Sequence, residues 1–442
     1  MAWDPFGNGK TSVRAGAGIF YGMVSGNEWN ATSNFEPFAV RLGFTNVGKT
    51  YSLSPAGSPT GGATLTNPYQ NLTIGLPPKV TTGDPFPYQG QFVGGASIEG
   101  MAPDFQWPYT YQVNLSLQRQ FANDFSITVA YVGAFTHDLP LATDVNYPVL
   151  NVAGVTSSTG NVIQRRPVDN TKLGTASSPF GQILLVRSNQ TASYNGLQLT
   201  AEKRMSHHLL FRTFYTYSKT MQSAELQNNS TNPTATGQIP QDYLNLAAER
   251  SRADFDFTHM FVSSLIWQLN YYQGSARLLR GLANGWSISP IVMLHTGLPM
   301  TIVSGGDNNV DGISGNDRPN LAGDPNQPGP VAANPTCGAP SQIHTVAAWF
   351  NPCAFVTNPV GKDGNVGRNT LNGPIFRDVD LAIFRDFKFK ERFTLQARSE
   401  AANVFNMVSL GQPNVTVTSK IFGQVTNAFP MRQLQIGLRL SF

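Results

Sequence analysis

Apolar residues recur at every second position along much of this chain, and that period excludes most other architectures. From Tyr109 they run Tyr109, Tyr111, Val113, Leu115 and Leu117, with Thr110, Gln112, Asn114, Ser116 and Gln118 between them. Successive side chains of an extended strand point to opposite faces, so such a segment has one greasy and one polar face. After Ala122-Asn123-Asp124 the pattern resumes as Phe125, Ile127, Val129, Tyr131, Gly133 and Phe135, which predicts a hairpin with a tight turn. The same reading gives Phe211 to Tyr217 after a turn at Met205-Ser206-His207, Phe261 to Trp267, and Trp286 to Leu294. It gives Val379, Leu381 and Ile383, a turn over Lys388–Arg392, then Phe393, Leu395 and Ala397. The last stretch is Leu434, Ile436, Leu438, Leu440 and Phe442. Starting from Thr11–Tyr21, about ten strands are expected, and no helical period of useful length competes.

The connections alternate as well. Long links cover about 22–107, 137–180, 219–255, 304–374 and 407–430, while those near 122–124, 204–208, 270–284 and 388–392 are mostly short. Segments of about ten residues suit a tilted strand crossing a bilayer. Short turns on one side and long loops on the other are the pattern of transmembrane barrels, with the long loops outside the cell. A soluble sandwich has no reason to lengthen every second connection. The expected fold is therefore all-β: an antiparallel meander wall of a transmembrane β-barrel, running through the whole chain, 1–442, in the outer membrane of a Gram-negative bacterium.

Composition fits this reading. Charged residues make up 13% of the chain, about half the usual soluble share, yet the mean hydropathy is only −0.19. Alternating strands average their greasy and polar faces to such a value. No run of about 18 apolar residues exists to form a membrane helix, and the opening MAWDPFGNGK lacks a signal peptide's apolar stretch. Since about ten strands of a larger barrel would leave two bare edges, a fragment of a longer protein is expected, unless the chain closes as a smaller barrel. The thirty Lys and Arg are scattered, without the basic stripe of a nucleic-acid partner. His-Glu-x-x-His, Gly-x-Ser-x-Gly and Walker patterns are all missing, so no enzyme is indicated.

Several stretches resemble the C-terminal half of TonB-dependent receptors, in particular their Oar-like branch. The penultimate hairpin of that branch is similar to GRNTLNGPIFRDVDLAIFRDFKFKERFTLQARSEAANVFN, from Gly367 to Asn406, with Arg398, Glu400, Asn403 and Asn406 at matching positions. AWDPFGNGKTSVRAGAGIFY, SYNGLQLTAEKR, FRTFYTYSKT, GWSISPIVMLHTGLPMTI and NDRPNLAGDP look like the same branch, in the same order. The ending LQIGLRLSF carries a terminal aromatic, Phe442, of the kind read by the barrel-assembly machinery. The resemblance implies a barrel of about 22 strands around an N-terminal plug, importing a scarce nutrient with energy delivered through TonB. The plug, its TonB-contacting segment and the earlier strands are not in this sequence, so TonB would act only through that other region. A surface adhesin or scaffold with ligand-binding loops, and a passive porin-type barrel, are the competing functions.

Candidate site residues fall into four groups. Asp378 and Asp380 share a polar face with Arg398 and Glu400, opposite one another if the turn centres near Lys390. That set reads as a lumen charge network ordering the wall, or alternatively as a substrate patch. The loop aromatics Trp29, Tyr69, Tyr88, Trp107, Trp349 and Phe350 are candidate ligand contacts, or hold their loops together. Asp307, Asn309 and Asp311 open a D-x-N-x-D-G stretch, the start of a calcium loop. Arg318 at the twelfth position argues against an EF-hand, which leaves another calcium cage within 307–318 or a metal-free Asx turn. Cys337 and Cys353 are expected to pair, closing a loop of roughly 15 residues worth about 3 kcal/mol, rather than remain free thiols. Arg385 shares the apolar row with Ile383 and Phe387, a costly place unless it lies near the interface and snorkels.

Overall fold

The structure is a computed structural model that describes residues 2–23, 96–176, 178, 180–223, 239–389 and 393–442. Ten long strands follow one another in a single antiparallel meander: β1 (Thr11–Tyr21), β2 (Tyr109–Ala122), β3 (Phe125–Asp144), β4 (Phe180–Ser206) and β5 (Leu209–Gln222) make the first half. β6 (His259–Leu269), β7 (Trp286–His295), β8 (Phe376–Phe389), β9 (Phe393–Ala402) and β10 (Gln433–Ser441) complete it. A short strand Ala2–Trp3 pairs with the outer side of β1, and Ala96–Met101 runs parallel to β4. Among the described residues the two ends of this sheet are not joined to each other.

Register carries the greasy row across the wall. Leu115 stands opposite Tyr131, Tyr131 opposite Leu197, and Leu197 opposite Tyr217. Among the described residues no second sheet covers these side chains: Leu115 is 53% exposed, and on β10 Ile436 is 82% exposed. A sheet whose apolar face has no partner in protein needs an apolar solvent. Rings gather at both ends of the row. Near the long connections Tyr109 stacks on His137, and Tyr215 on His259. Near the short ones Trp267 donates to the Tyr271 hydroxyl at 2.9 Å. This is the distribution of an interfacial aromatic girdle.

Two of the short connections, at Asn123-Asp124 and His207-His208, are tight turns where the sequence expected them. β4 and β5 are joined by His207-His208, both at positive φ (49° and 69°), the conformation that matches the twist of a two-residue hairpin. The Lys388–Arg392 turn differs in extent: β8 continues through Phe389, and 390–392 lie outside the described residues. The stretch 270–284 contains a helix, Arg277–Ala283, that strand periodicity did not reveal.

One long connection is shorter than expected. β3 does not end near 137 but runs to Asp144, where its outer part pairs with β4 from Leu184 to Gln190. The register shifts between Thr136 and Leu139, with Asp138 at φ 58°. Such an irregularity flips the faces, so a search for strict alternation stops there while the ladder continues.

The packed core lies in the loops beyond the wall. Met300, Ile302, Phe350, Ala354, Phe355, Val366 and Leu371 are buried together, with Trp349, Val415, Val417 and Phe422 against them. Two miniature ladders, Pro299–Met300 with Leu371–Asn372 and Asn320–Leu321 with Phe355–Val356, tie the long 296–375 connection to itself.

Candidate functional site

The long connections interlock through buried charges. Arg318 donates to Glu249 at 2.8 Å and Arg166 to Asp144 at 2.6 Å, with all four side chains at most 4% exposed. Gln241 joins the 307–318 stretch to Gly364, by accepting from the Arg318 N–H and donating to the Gly364 carbonyl. Tyr147 donates to Asp311 at 3.1 Å and meets Tyr243 edge-on. Burial pushes the Asp311 carboxyl up to about 7, helped by the neighbouring Asp307 and Asp317 carboxylates. Burial likewise raises Asp317 to about 6. Arg165, wholly buried, offers its guanidinium to neutral oxygens: Asn161 Oδ1 at 2.9 Å and the carbonyls of Ser158, Val149 and Val310. Loops from three connections thus form one interlocked roof.

Beneath the roof a cavity of about 330 Å³ opens at the strand ends, lined by His295, Leu298, Pro374, Phe376, Leu410 and Phe429 among others. His295 stacks on Phe376 with centroids 4.8 Å apart, approaches Phe257 at 4.3 Å, and Phe376 meets Phe429 edge-on at 4.9 Å. Phe376, Asp378 and Asp380 alternate along β8, opposite His295, Met293 and Ile291 of β7. The cavity therefore lies on the polar side of the wall, above the two carboxylates. Aromatic faces and an imidazole over acidic groups suit a ligand that is partly flat and partly cationic. The sequence did not reveal this cluster; the available signal was Phe376, an aromatic two residues before Asp378 in the row that carries Asp378 and Asp380.

A second cavity, of about 610 Å³, lies between the strand ends and the 344–350 loop, with His259, His344, Trp349, Asn372 and Ile375 in its lining. Trp349 donates its indole N–H to the Asn372 carbonyl at 2.8 Å and packs against His344. Phe350 is only 2% exposed and packs in the loop core, and it also contributes to the lining of this cavity. Trp107 is half exposed beside Phe105 at the outer rim. Trp29, Tyr69 and Tyr88 lie outside the described residues.

The four-residue charge network does not form as expected. All four side chains share the polar face, but the hairpin register places Arg398 opposite Phe384 and Glu400 opposite Ala382. Arg398 therefore pairs with Glu400 on its own strand, while Asp380 accepts the Asn403 backbone N–H at 3.0 Å. A turn centred one residue later than assumed accounts for the difference.

Asp307, Asn309 and Asp311 lie in a turn whose oxygens meet backbone donors. Both Asp307 oxygens are taken by backbone N–H groups, of Asp311 and Gly312, each at 3.0 Å. Asn309 accepts from the Asp311 N–H with its oxygen and points its amide donors at Asp363, at 2.9 Å. Among the described residues no group of three His, Cys, Asp or Glu is placed to hold an ion. The stretch is an Asx-rich turn. Cys337 and Cys353 are joined in a disulfide, with Cα atoms 5.6 Å apart. Phe442, the last residue, is 93% exposed beyond β10.

At the short-turn end, a polar pocket of about 220 Å³ is lined by Lys10, Gln118, Gln120, Asp124, Glu202 and Arg204 among others. The hydrogen bond from the Lys203 ammonium holds the Asp124 carboxyl down at about 2, with Ser206 helping.

A family model for an outer membrane beta barrel domain matches residues 1–435. Among solved structures the whole chain aligns with 39% of the outer membrane transporter YddB from Escherichia coli, at 10% identity and a TM-score of 0.46. It also aligns whole with 32% of the FpvA chain of Pseudomonas aeruginosa, solved with heterologous pyoverdines, at 6% identity and a TM-score of 0.40. With BauA, the ferric preacinetobactin receptor of Acinetobacter baumannii, 77% of this chain aligns with 32% of that one, at 11% identity and a TM-score of 0.35. The chain thus spans less than half the length of each of these. No curated protein matches it.

Proposed function

Because the chain belongs to the outer membrane beta barrel domain family, we propose that it supplies barrel wall and external loops to a TonB-dependent transporter taking up a scarce nutrient. The ordered set of motifs supports placing it in the Oar-like branch. The observation that carries the reading is the mouth cavity of His295, Phe376 and Phe429 over Asp378 and Asp380, on the polar side of a lipid-facing wall. A ligand captured there is already inside the mouth, where an importer needs it. An adhesin needs only the outer surface of the roof, and a passive porin needs no aromatic clamp.

The test is uptake in a strain deleted for the gene, with candidate nutrients supplied one at a time. The deletion is expected to abolish uptake of one of them, and Phe376→Ala to weaken its capture about fivefold, the worth of one aromatic contact of about 1 kcal/mol. Normal uptake of every candidate together with lost surface attachment would transfer the assignment to an adhesin. Uptake that persists after TonB is removed would point to a passive pore.

A further inference from the structure

The helix Arg277–Ala283 stands on the lipid side of the wall, at its short-turn end. Arg385 belongs to the outward row of β8, where its register partners are Trp286 and Ala397. It is nevertheless only 9% exposed, because the C-terminal end of the helix covers it. Its guanidinium donates to the carbonyls of Gly281 and, at 3.0 Å, Leu282. The same cation rests over the Trp286 ring at 5.4 Å and the Phe387 ring at 4.7 Å. Trp286 donates its indole N–H to the Leu282 carbonyl at 2.9 Å. A cation beside the terminal carbonyls is favourable, and here it pins the helix to the greasy face.

What the helix carries outward is apolar. Leu278, Leu279 and Leu282 are 77%, 52% and 61% exposed, on one side of a seven-residue helix. The exposed Arg280 bends back to the Gly274 carbonyl at 2.8 Å. Trp267 and Tyr271 flank the segment. Apolar side chains of one helical face, next to a basic residue and interfacial aromatics, are the composition of a helix lying in a membrane surface. They are also continuous with a wall that already meets lipid.

We propose that Arg277–Ala283 is an interfacial foot, seated by Arg385, that buries Leu278, Leu279 and Leu282 in the periplasmic leaflet of the outer membrane. The occupant of this face is glycerophospholipid at the boundary between headgroup and acyl chain. The foot fixes the depth and tilt of the wall at β6 and β7, whatever the barrel transports.

The test uses outer membranes from cells making the protein with a spin label at Leu279→Cys, or at Leu282→Cys. The native cysteines are already paired. The expected result at both positions is a collision rate with oxygen exceeding that with a water-soluble nickel complex. A nickel rate exceeding the oxygen rate would place the foot in periplasmic water and overturn the proposal. Low rates with both probes would mean protein covers it, a second copy or a periplasmic partner, and would overturn it equally. Adding Arg385→Gln to the labelled protein is expected to lower the oxygen-to-nickel ratio at least threefold, while heat-modifiable gel mobility still reports an assembled barrel. An unchanged ratio in the assembled variant would remove Arg385 from the proposal.

Discussion

Single residues in the roof illustrate how differently a charge behaves when its neighbours change. Arg318 and Glu249 are almost wholly buried, so removing one leaves the other without a counter-charge in a dry site. Glu249→Ala is expected to destabilise the roof by about 3–5 kcal/mol, seen as faster cleavage of the external loops by added protease. Asp311 makes the opposite case. Its carboxyl is raised to about 7 in the fold, whereas an unfolded Asp titrates near 4. Its contribution is fully present below the unfolded value and is lost as pH rises through about 7. The roof is therefore expected to resist protease better at pH 5 than at pH 8. Asp311→Asn should flatten that difference, and an unaltered pH profile in the variant would show that another group sets it. The sequence marked Asp307, Asn309 and Asp311 as special, and they are. It could not say which donors their oxygens meet or that Asn309 reaches Asp363, because that depends on the turn's dihedral angles and on a residue arriving from farther along the chain.

Among the elements, the strands were the most legible part of the chain. Alternation marks which side chains meet lipid, and the wall keeps those rows aligned through β4 and β5. A charge in mid-row is costly in the bilayer, about 2–4 kcal/mol, while the polar face tolerates one. Leu115→Arg is expected to reduce assembled protein in the outer membrane, and Gln112→Arg, on the other face of β2, to leave it unchanged. Equal levels of the two variants would mean that the row does not face lipid. Within the 296–375 connection the sequence marked the Cys337–Cys353 pair and the Asx-rich stretch, but not the packing that joins them. The disulfide spans 16 residues, and opening it by Cys337→Ser is expected to cost about 3 kcal/mol locally. That loss would appear as new protease sites within 337–353, with strand assembly intact. The helix Arg277–Ala283 was invisible for a different reason. Seven residues are too few for a helical period to stand out, and contacts with Arg385 and Trp286 hold it rather than its own propensity.

For the molecule as a whole, the balance of surfaces is decisive. The wall exposes its apolar row on one side and presents polar rows on the other, and its packed core lies outside the membrane, in the loops. Purified chain without detergent or lipid is expected to aggregate, whereas a well-behaved monomer in plain buffer would contradict a lipid-facing wall. By itself the sequence determined the class: a two-residue period, links alternating long and short, and few charges specify an outer-membrane wall, because each is a local consequence of having lipid on one side. Tertiary structure alone decided which loop residues meet. His295, Phe376 and Phe429 converge on one cavity, Arg398 turns to Glu400 instead of the aspartates, and Phe350 becomes core instead of surface. Strand register and loop packing join residues far apart in the chain, and a one-residue shift in a turn is enough to change every partner.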